Sequence, residues 1–292
     1  MMRQPQVGKS ATGRKTRLIV AAVVLALILL FLSPFCAQLR SRIVMKAYSA
    51  WCYRTSLAEE KGFEIRIPGG NASSATEWYP LMLFYDAGSE FTYWSGTDTH
   101  LNIYYSFPAF ERRTGRSLLY DPESAYYGGF YGAYVLSGEA DGFVDEMDSD
   151  RSQKSVPAPQ EIVDVVRFDL FELVLDDFGL READQVFTCQ IKELTENVSV
   201  AGFEGGFRMD AELLVNGMNH ARVKGCQSYL QYGKAPVESD KPFAPVQMYG
   251  RVYGIHLPEK DSSVFFYILA KDPDLLETTD EELLSKAEIR FN

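Results

Sequence analysis

Leu18 to Ala37 is a run of twenty residues without a charge. As an α-helix it would rise about 30 Å, the thickness of a bilayer's hydrocarbon core. The pattern predicts one N-terminal transmembrane helix. Cleavage is not expected, because Phe35 is too large for the −3 position of a site after Ala37, and Ser33–Pro34–Phe35 before Cys36 does not form a lipidation signal. The span therefore reads as an uncleaved signal-anchor. Beyond it Leu39, Ile43, Ala47 and Trp51 recur every fourth residue. That spacing predicts an amphipathic stalk over 38–57 whose stripe packs on the domain that follows or on another copy, or lies on the membrane if the helix bends at Ser33–Pro34.

From residue 58 the periodicity shortens to two. Phe63–Glu64–Ile65–Arg66–Ile67 alternates and stops at Pro68–Gly69–Gly70, the mark of a strand and its turn. Further strands are expected at Leu81–Tyr85, Phe91–Trp94, Leu101–Tyr105 and Phe130–Leu136. Glu139–Pro159, acidic and then polar, reads as an exposed linker between possible lobes 58–150 and 156–292. Glu161–Leu180 turns helical: Val166, Leu170, Leu173, Val174 and Phe178 share a face, and Gly179 stands where a C-cap would. Strands resume at Val186–Leu194, Asn197–Phe203 and Phe207–Val215, and Asn216–Gly217 predicts a tight hairpin returning through Met218–Gly225. Tyr249–Leu257 and Val264–Ala270 flank a turn at Pro258–Ser263. Thr279–Asp280–Glu281–Glu282 has the spacing of a capping box and opens a closing helix. The expected class is α+β, with mostly antiparallel sheet packed by helices.

Charge divides the chain. Residues 1–57 hold nine of the 29 Lys/Arg and none of the 40 Asp/Glu, so residues 58–292 carry 20 basic and 40 acidic side chains, a net of −20. A domain that acidic repels phosphate backbones, which argues against nucleic acid as a partner. The division gives a basic tail at 1–17, the span at 18–37, the stalk at 38–57 and an acidic domain at 58–292. The expected partner of residues 18–37 is the lipid bilayer. The expected topology is single-pass, with the N-terminus cytoplasmic and the large domain outside the cell membrane.

Four stretches, KGFEIRIPGG, LLVNGMNHARVKG, SVFFYILAKD and TDEELLSKAEIRF, together resemble the PsbP-like group of small α/β proteins over residues 61–70 and 185–290. The resemblance implies an antiparallel sheet packed by helices and a non-catalytic envelope or binding role. It leaves the Tyr-rich region 78–150 unmatched.

Candidate chemistry is sparse. Between Trp78 and Tyr134 stand 17 aromatic residues, and Tyr126, Tyr127 and Tyr131 crowd around Gly128, Gly129 and Gly132. Such rings either form the aromatic core of a sheet or, if exposed, a platform on which an envelope glycan or a peptide stacks. Cys189 and Cys226 both fall on expected strands and form either a disulfide or two buried thiols. Thr188–Cys189, with His100 upstream and Arg208 downstream, offers the alternative of a sortase-type cysteine transpeptidase. However, Gln185–Val186–Phe187 stands where that family has its Thr-Leu-x. His100, His220 and His256 lack metal-ligand spacing, and no phosphate loop or serine elbow occurs. No catalytic residue, metal or cofactor is assigned. The reading is a membrane-anchored binding or structural module of the cell envelope.

Overall fold

The computed structural model describes residues 11–33, 36–110, 117–138, 159–176, 179–218 and 243–291. The chain divides into two units, Met1–Val44 and Met45–Asn292.

In the first unit α1 (Ala11–Leu32) ends one residue before Ser33, and α2 (Ala37–Tyr53) begins afresh. The break is capped. Arg40 turns back so that Nη1 donates to the carbonyls of Phe31 (2.5 Å) and Ser33 (2.6 Å), which places a cation on the negative end of the α1 dipole. The apolar helical stretch is therefore Leu18–Leu32, about 22 Å long at 1.5 Å per residue, well short of a bilayer core. Among the described residues no helix is long and apolar enough to cross a membrane. This corrects the expected transmembrane helix over 18–37.

The second unit is built on a seven-stranded sheet, order β2-β3-β4-β8-β7-β6-β5, antiparallel throughout. Its strands are β2 (Leu83–Asp86), β3 (Thr99–Ser106), β4 (Phe130–Gly138), β5 (Phe187–Val200), β6 (Phe203–Asn216), β7 (Pro245–Leu257) and β8 (Ser262–Ala270). Strands from both sides of the 139–158 linker pair directly, β4 with β8, so the two expected lobes share one sheet. One face carries Tyr131, Ala133, Val135, Val264, Phe266 and Ile268, which pack with α3 (Leu57–Glu60), α6 (Pro273–Glu282) and the small sheet of β1 (Phe63–Arg66) with β9 (Glu288–Phe291). The other face carries Phe130, Tyr134, Met209, Val252 and Tyr267. It is covered by α5 (Pro159–Phe168), whose Phe168 meets Phe91 of α4 (Gly88–Ser95) at 5.0 Å. Both faces being covered, β4 and β8 are apolar at almost every position instead of alternating.

Several elements differ from the sequence reading. Phe91–Trp94 lies in a helix, with Phe91 buried and Tyr93 exposed. The stripe Leu39–Ile43–Ala47–Trp51 faces outward. The face of α2 that packs holds Ser49, Cys52 and Tyr53, and Ser49 Oγ accepts from the Phe84 amide at 2.7 Å, which covers the β2 edge. The partner of β6 after Asn216 is β7, with Asn216 opposite Pro245, so the expected pairing of 218–225 is replaced; residues 219–225 lie outside the described residues. Helix α6 starts at Pro273 with Asp272 as its N-cap, and Thr279 is buried mid-helix.

Candidate functional site

Two features are left over once the core is accounted for. The first is the surface of α1. From Leu27 to Leu32 six consecutive large apolar side chains are exposed, Phe31 least at 37% and Leu32 most at 62%. Successive residues advance about 100°, so these six cover the whole circumference of the helix. Leu18, Ile19, Val20, Val23, Val24 and Leu25 extend the same surface. No Asp or Glu stands among residues 1–57, while Arg14, Lys15 and Arg17 precede the apolar stretch and Arg40, Arg42 and Lys46 follow it.

The second feature is a recess between α5 and the sheet. Ala211 of β6 and Gly250 of β7 are register partners on the helix-facing side, and together they contribute a single methyl group. Ile162, Val163 and Val166 of α5 roof this floor, Leu213 stands where a Cβ on Gly250 would lie, and a partly open recess of about 40 Å³ remains. Half-buried Val166, Phe187 and Cys189 border its open side.

Polar groups enter the recess from one end. The helix that begins as α5 widens into a π-helical turn at Asp169–Leu175, visible in the i to i−5 bonds from the Asp176 amide to Phe171 and from the Leu180 amide to Leu175. Asp169, the first residue of that turn, lines the recess, and its Oδ2 accepts the Tyr134 hydroxyl at 2.6 Å. Some of its surface remains accessible, yet burial of the carboxyl raises its pKa to about 6, the Tyr134 bond opposing the shift. Tyr134 and Tyr267 stack with ring centroids 4.2 Å apart, and burial holds both phenols well above the ordinary value. The Tyr267 hydroxyl is buried, with Tyr134 as its hydrogen-bonding neighbour, and the Asp169 charge adds to the upward shift.

No protein-family model, curated protein or solved structure matches the chain. The PsbP-like resemblance accordingly rests on the four quoted stretches alone.

On the opposite face of the sheet an ion cluster joins β6 and β7 to α6. Arg251 is 5% exposed and held by three carboxylates: Nε donates to Asp210 at 2.6 Å, and the two terminal nitrogens donate to Glu277 and Asp280 at 2.7 Å. Burial opposes its charge, but the hydrogen bonds to Glu277, Asp210 and Asp280 outweigh this and raise its pKa. Arg208 takes the other oxygen of Asp210 at 2.6 Å, and Tyr253 donates to Asp280 at 2.7 Å. With four of its five N–H donors on carboxylates, Arg251 ties α6 to the sheet.

The residues singled out in the sequence fall elsewhere. Tyr131 is fully buried and donates to the Pro68 carbonyl at 2.7 Å; Tyr127 is 8% exposed and donates to the Met218 carbonyl at 2.7 Å. Tyr126 is half-buried, packs edge-on against Trp78 and accepts from the Glu77 amide. Tyr127 and Tyr131 are buried with the aromatic core, and Tyr126 is half-covered at its edge. Cys189 is a half-buried thiol whose pKa burial raises; its expected partner Cys226 lies outside the described residues. The sortase-type grouping does not form. His100 on β3 and Cys189 on β5 are separated by four intervening strands, roughly 24 Å at the usual strand spacing, and His100 is bonded to Asp86 at 2.6 Å. Arg208 is one position from the recess-facing Met209 and so projects to the other face of the sheet from Cys189, which lines the recess. Asp169 and the Ala211–Gly250 pair carried no sequence signal: one acid in a helix and two small residues in strands are ordinary.

Proposed function

We propose that this chain is a non-catalytic binding module held at a lipid surface by α1, resting against that surface without crossing it. The observation that carries the reading is the all-round exposure of Leu18–Leu32. A protein groove buries one stripe of a helix, whereas acyl chains can cover every side. Burying twelve large apolar side chains is worth on the order of 10 kcal/mol gross, even at half the usual value per residue. The basic residues at both ends complement anionic headgroups, while the net charge of −20 over residues 58–292 keeps the acidic domain off the same surface. The catalytic alternative loses its support, because Cys189 and His100 stand far apart.

Flotation of the full chain with phosphatidylcholine vesicles, with and without phosphatidylglycerol, tests the proposal. The chain is expected to float with both, more completely with the anionic lipid and less so as salt is raised. A Leu25→Glu/Leu29→Glu variant should stay at the bottom of the gradient. If wild type sediments with both lipids, or the variant floats equally well, the reading fails.

A further inference from the structure

We propose that the outward face of α2 lies along an anionic lipid surface, so that the unit Met45–Asn292 meets the bilayer with the β2 edge of its sheet. The proposal rests on the reading that α1 holds the chain at lipid, and adds which side of the folded unit turns toward it. The sequence leaves three places for the stripe Leu39–Ile43–Ala47–Trp51: the domain that follows, another copy, or a membrane. The structure removes the first. The side of α2 that packs carries Ser49, Cys52 and Tyr53, while Tyr48 and Trp51 are exposed, Trp51 at 71%, as are Ile43 and Leu39 earlier on the same helix. Amphipathic rings on an exposed helix face suit the zone where acyl chains meet headgroups.

Charge and the remaining surface decide between the other two. Arg42, Lys46 and Arg54 are exposed on or beside α2, and no acidic residue precedes Glu59. Two copies meeting through α2 would bring like charges together with no acid to offset them. A seat elsewhere on a second copy would have to be apolar. Outside α1 and α2, however, the exposed large apolar side chains among the described residues are Tyr93, Trp94, Ile191, Leu194 and Phe291, scattered over α4, β5 and β9. An anionic bilayer offers an apolar layer and negative charge along the whole helix. The Arg54 guanidinium lies 5.7 Å from the Trp51 ring centroid, which sets a cation for the headgroups beside the ring that enters. On the other side of α2, Ser49 Oγ accepts from the Phe84 amide of β2. That contact fixes the orientation: β2 is the strand nearest the lipid, and β5, at the opposite end of the sheet order, is the farthest.

Tryptophan quenching tests the inference. The full chain is floated with vesicles of phosphatidylglycerol and a phosphatidylcholine brominated near the headgroup end of its acyl chains, because bromine quenches an indole only at short range. Of the three tryptophans Trp78 is buried in the core and Trp94 lies on α4. Emission is expected to fall relative to unbrominated vesicles, and Trp51→Phe, at an exposed position, should remove at least half of that fall. Arg42→Glu/Lys46→Glu should also remove at least half of it while the chain still floats, since α1 is untouched. A floating chain that is not quenched, or whose quenching survives Trp51→Phe or the charge reversal, overturns the proposal and leaves the reading of α1 standing. A chain that does not float overturns both.

Discussion

Replacing Arg251 with methionine leaves the packing volume nearly intact and removes the charge at the centre of the cluster on α6. The size of the effect depends on which carboxylates lose a partner away from water. Glu277 is 58% exposed, so its pair with Arg251 is screened and contributes under about 1 kcal/mol. Asp280 is 11% exposed and Asp210 20%, and Arg208 still serves Asp210. The main loss is therefore at Asp280, left with Tyr253 as its donor. Removing one member of a buried pair costs about 3–5 kcal/mol, and about 4 kcal/mol lowers the melting temperature of a unit this size by roughly 8–16 °C. The deficit should also depend on pH. The hydrogen bond from Arg251 lowers the Glu277 pKa. The stabilisation linked to it is present above the unfolded carboxylate value and lost as pH falls through the folded one. In Arg251→Met that loss is absent, and acid relieves the repulsion among the three carboxylates. The gap between the two proteins should narrow below about pH 4. Urea unfolding of both proteins at neutral and acid pH measures this. A deficit under about 1 kcal/mol, or one that widens in acid, would refute the assignment of Arg251 as the tie between sheet and helix.

Two further outcomes follow from buried polar groups. Asp169→Asn keeps a hydrogen-bond acceptor for Tyr134 and removes a carboxyl whose folded pKa, about 6, lies above its unfolded value of about 3.9. A raised carboxyl pKa destabilises the fold as pH climbs from about 4 to 6. The variant should therefore gain on wild type over that interval, by up to about 2–3 kcal/mol in urea unfolding. Thr279→Val removes the acceptor of the Trp78 indole N–H, 2.8 Å away, and strands a buried donor. A loss of about 1–3 kcal/mol in the same assay, with blue-shifted tryptophan emission retained in the folded state, is expected.

The strands with clean boundaries were legible before any coordinates. Phe63–Ile67 alternates and ends in Pro68–Gly69–Gly70, and the β7–β8 hairpin brackets a turn where Asp261 adopts a left-handed φ of 46°. The Phe91–Trp94 stretch reads as a strand because three aromatic residues in four positions cannot separate a period of two from one of 3.6. The exposure of Tyr93 beside buried Phe91 resolves it only in three dimensions. The strong Asn216–Gly217 turn signal was overridden by sheet pairing. Both flanks of β6 are filled by β5 and β7, and the Asn216 side chain bonds the Val186 amide and the Asp184 and Phe243 carbonyls, which pins the strand end. The twenty-residue apolar run overstated its helix because composition does not show where a serine and a folded-back arginine end it. The recess was illegible for a different reason. Its floor depends on Leu213 lying over Gly250 of the neighbouring strand, and its carboxyl is placed by a π-helical turn that has no sequence period of its own.

The small sheet that pairs Phe63 with Phe291 also bears on how the protein is made. β1 is among the first parts of the acidic unit to leave the ribosome, and its strand partner among the described residues is made more than 200 residues later. Phe63 and Ile65 must therefore wait as exposed apolar side chains until β9 follows, as must Trp78, whose indole partner Thr279 comes about 200 residues later. Non-local closure of this kind is slow and leaves a half-made chain open to aggregation. A nascent chain arrested a few residues before Glu288 would be the species a chaperone meets.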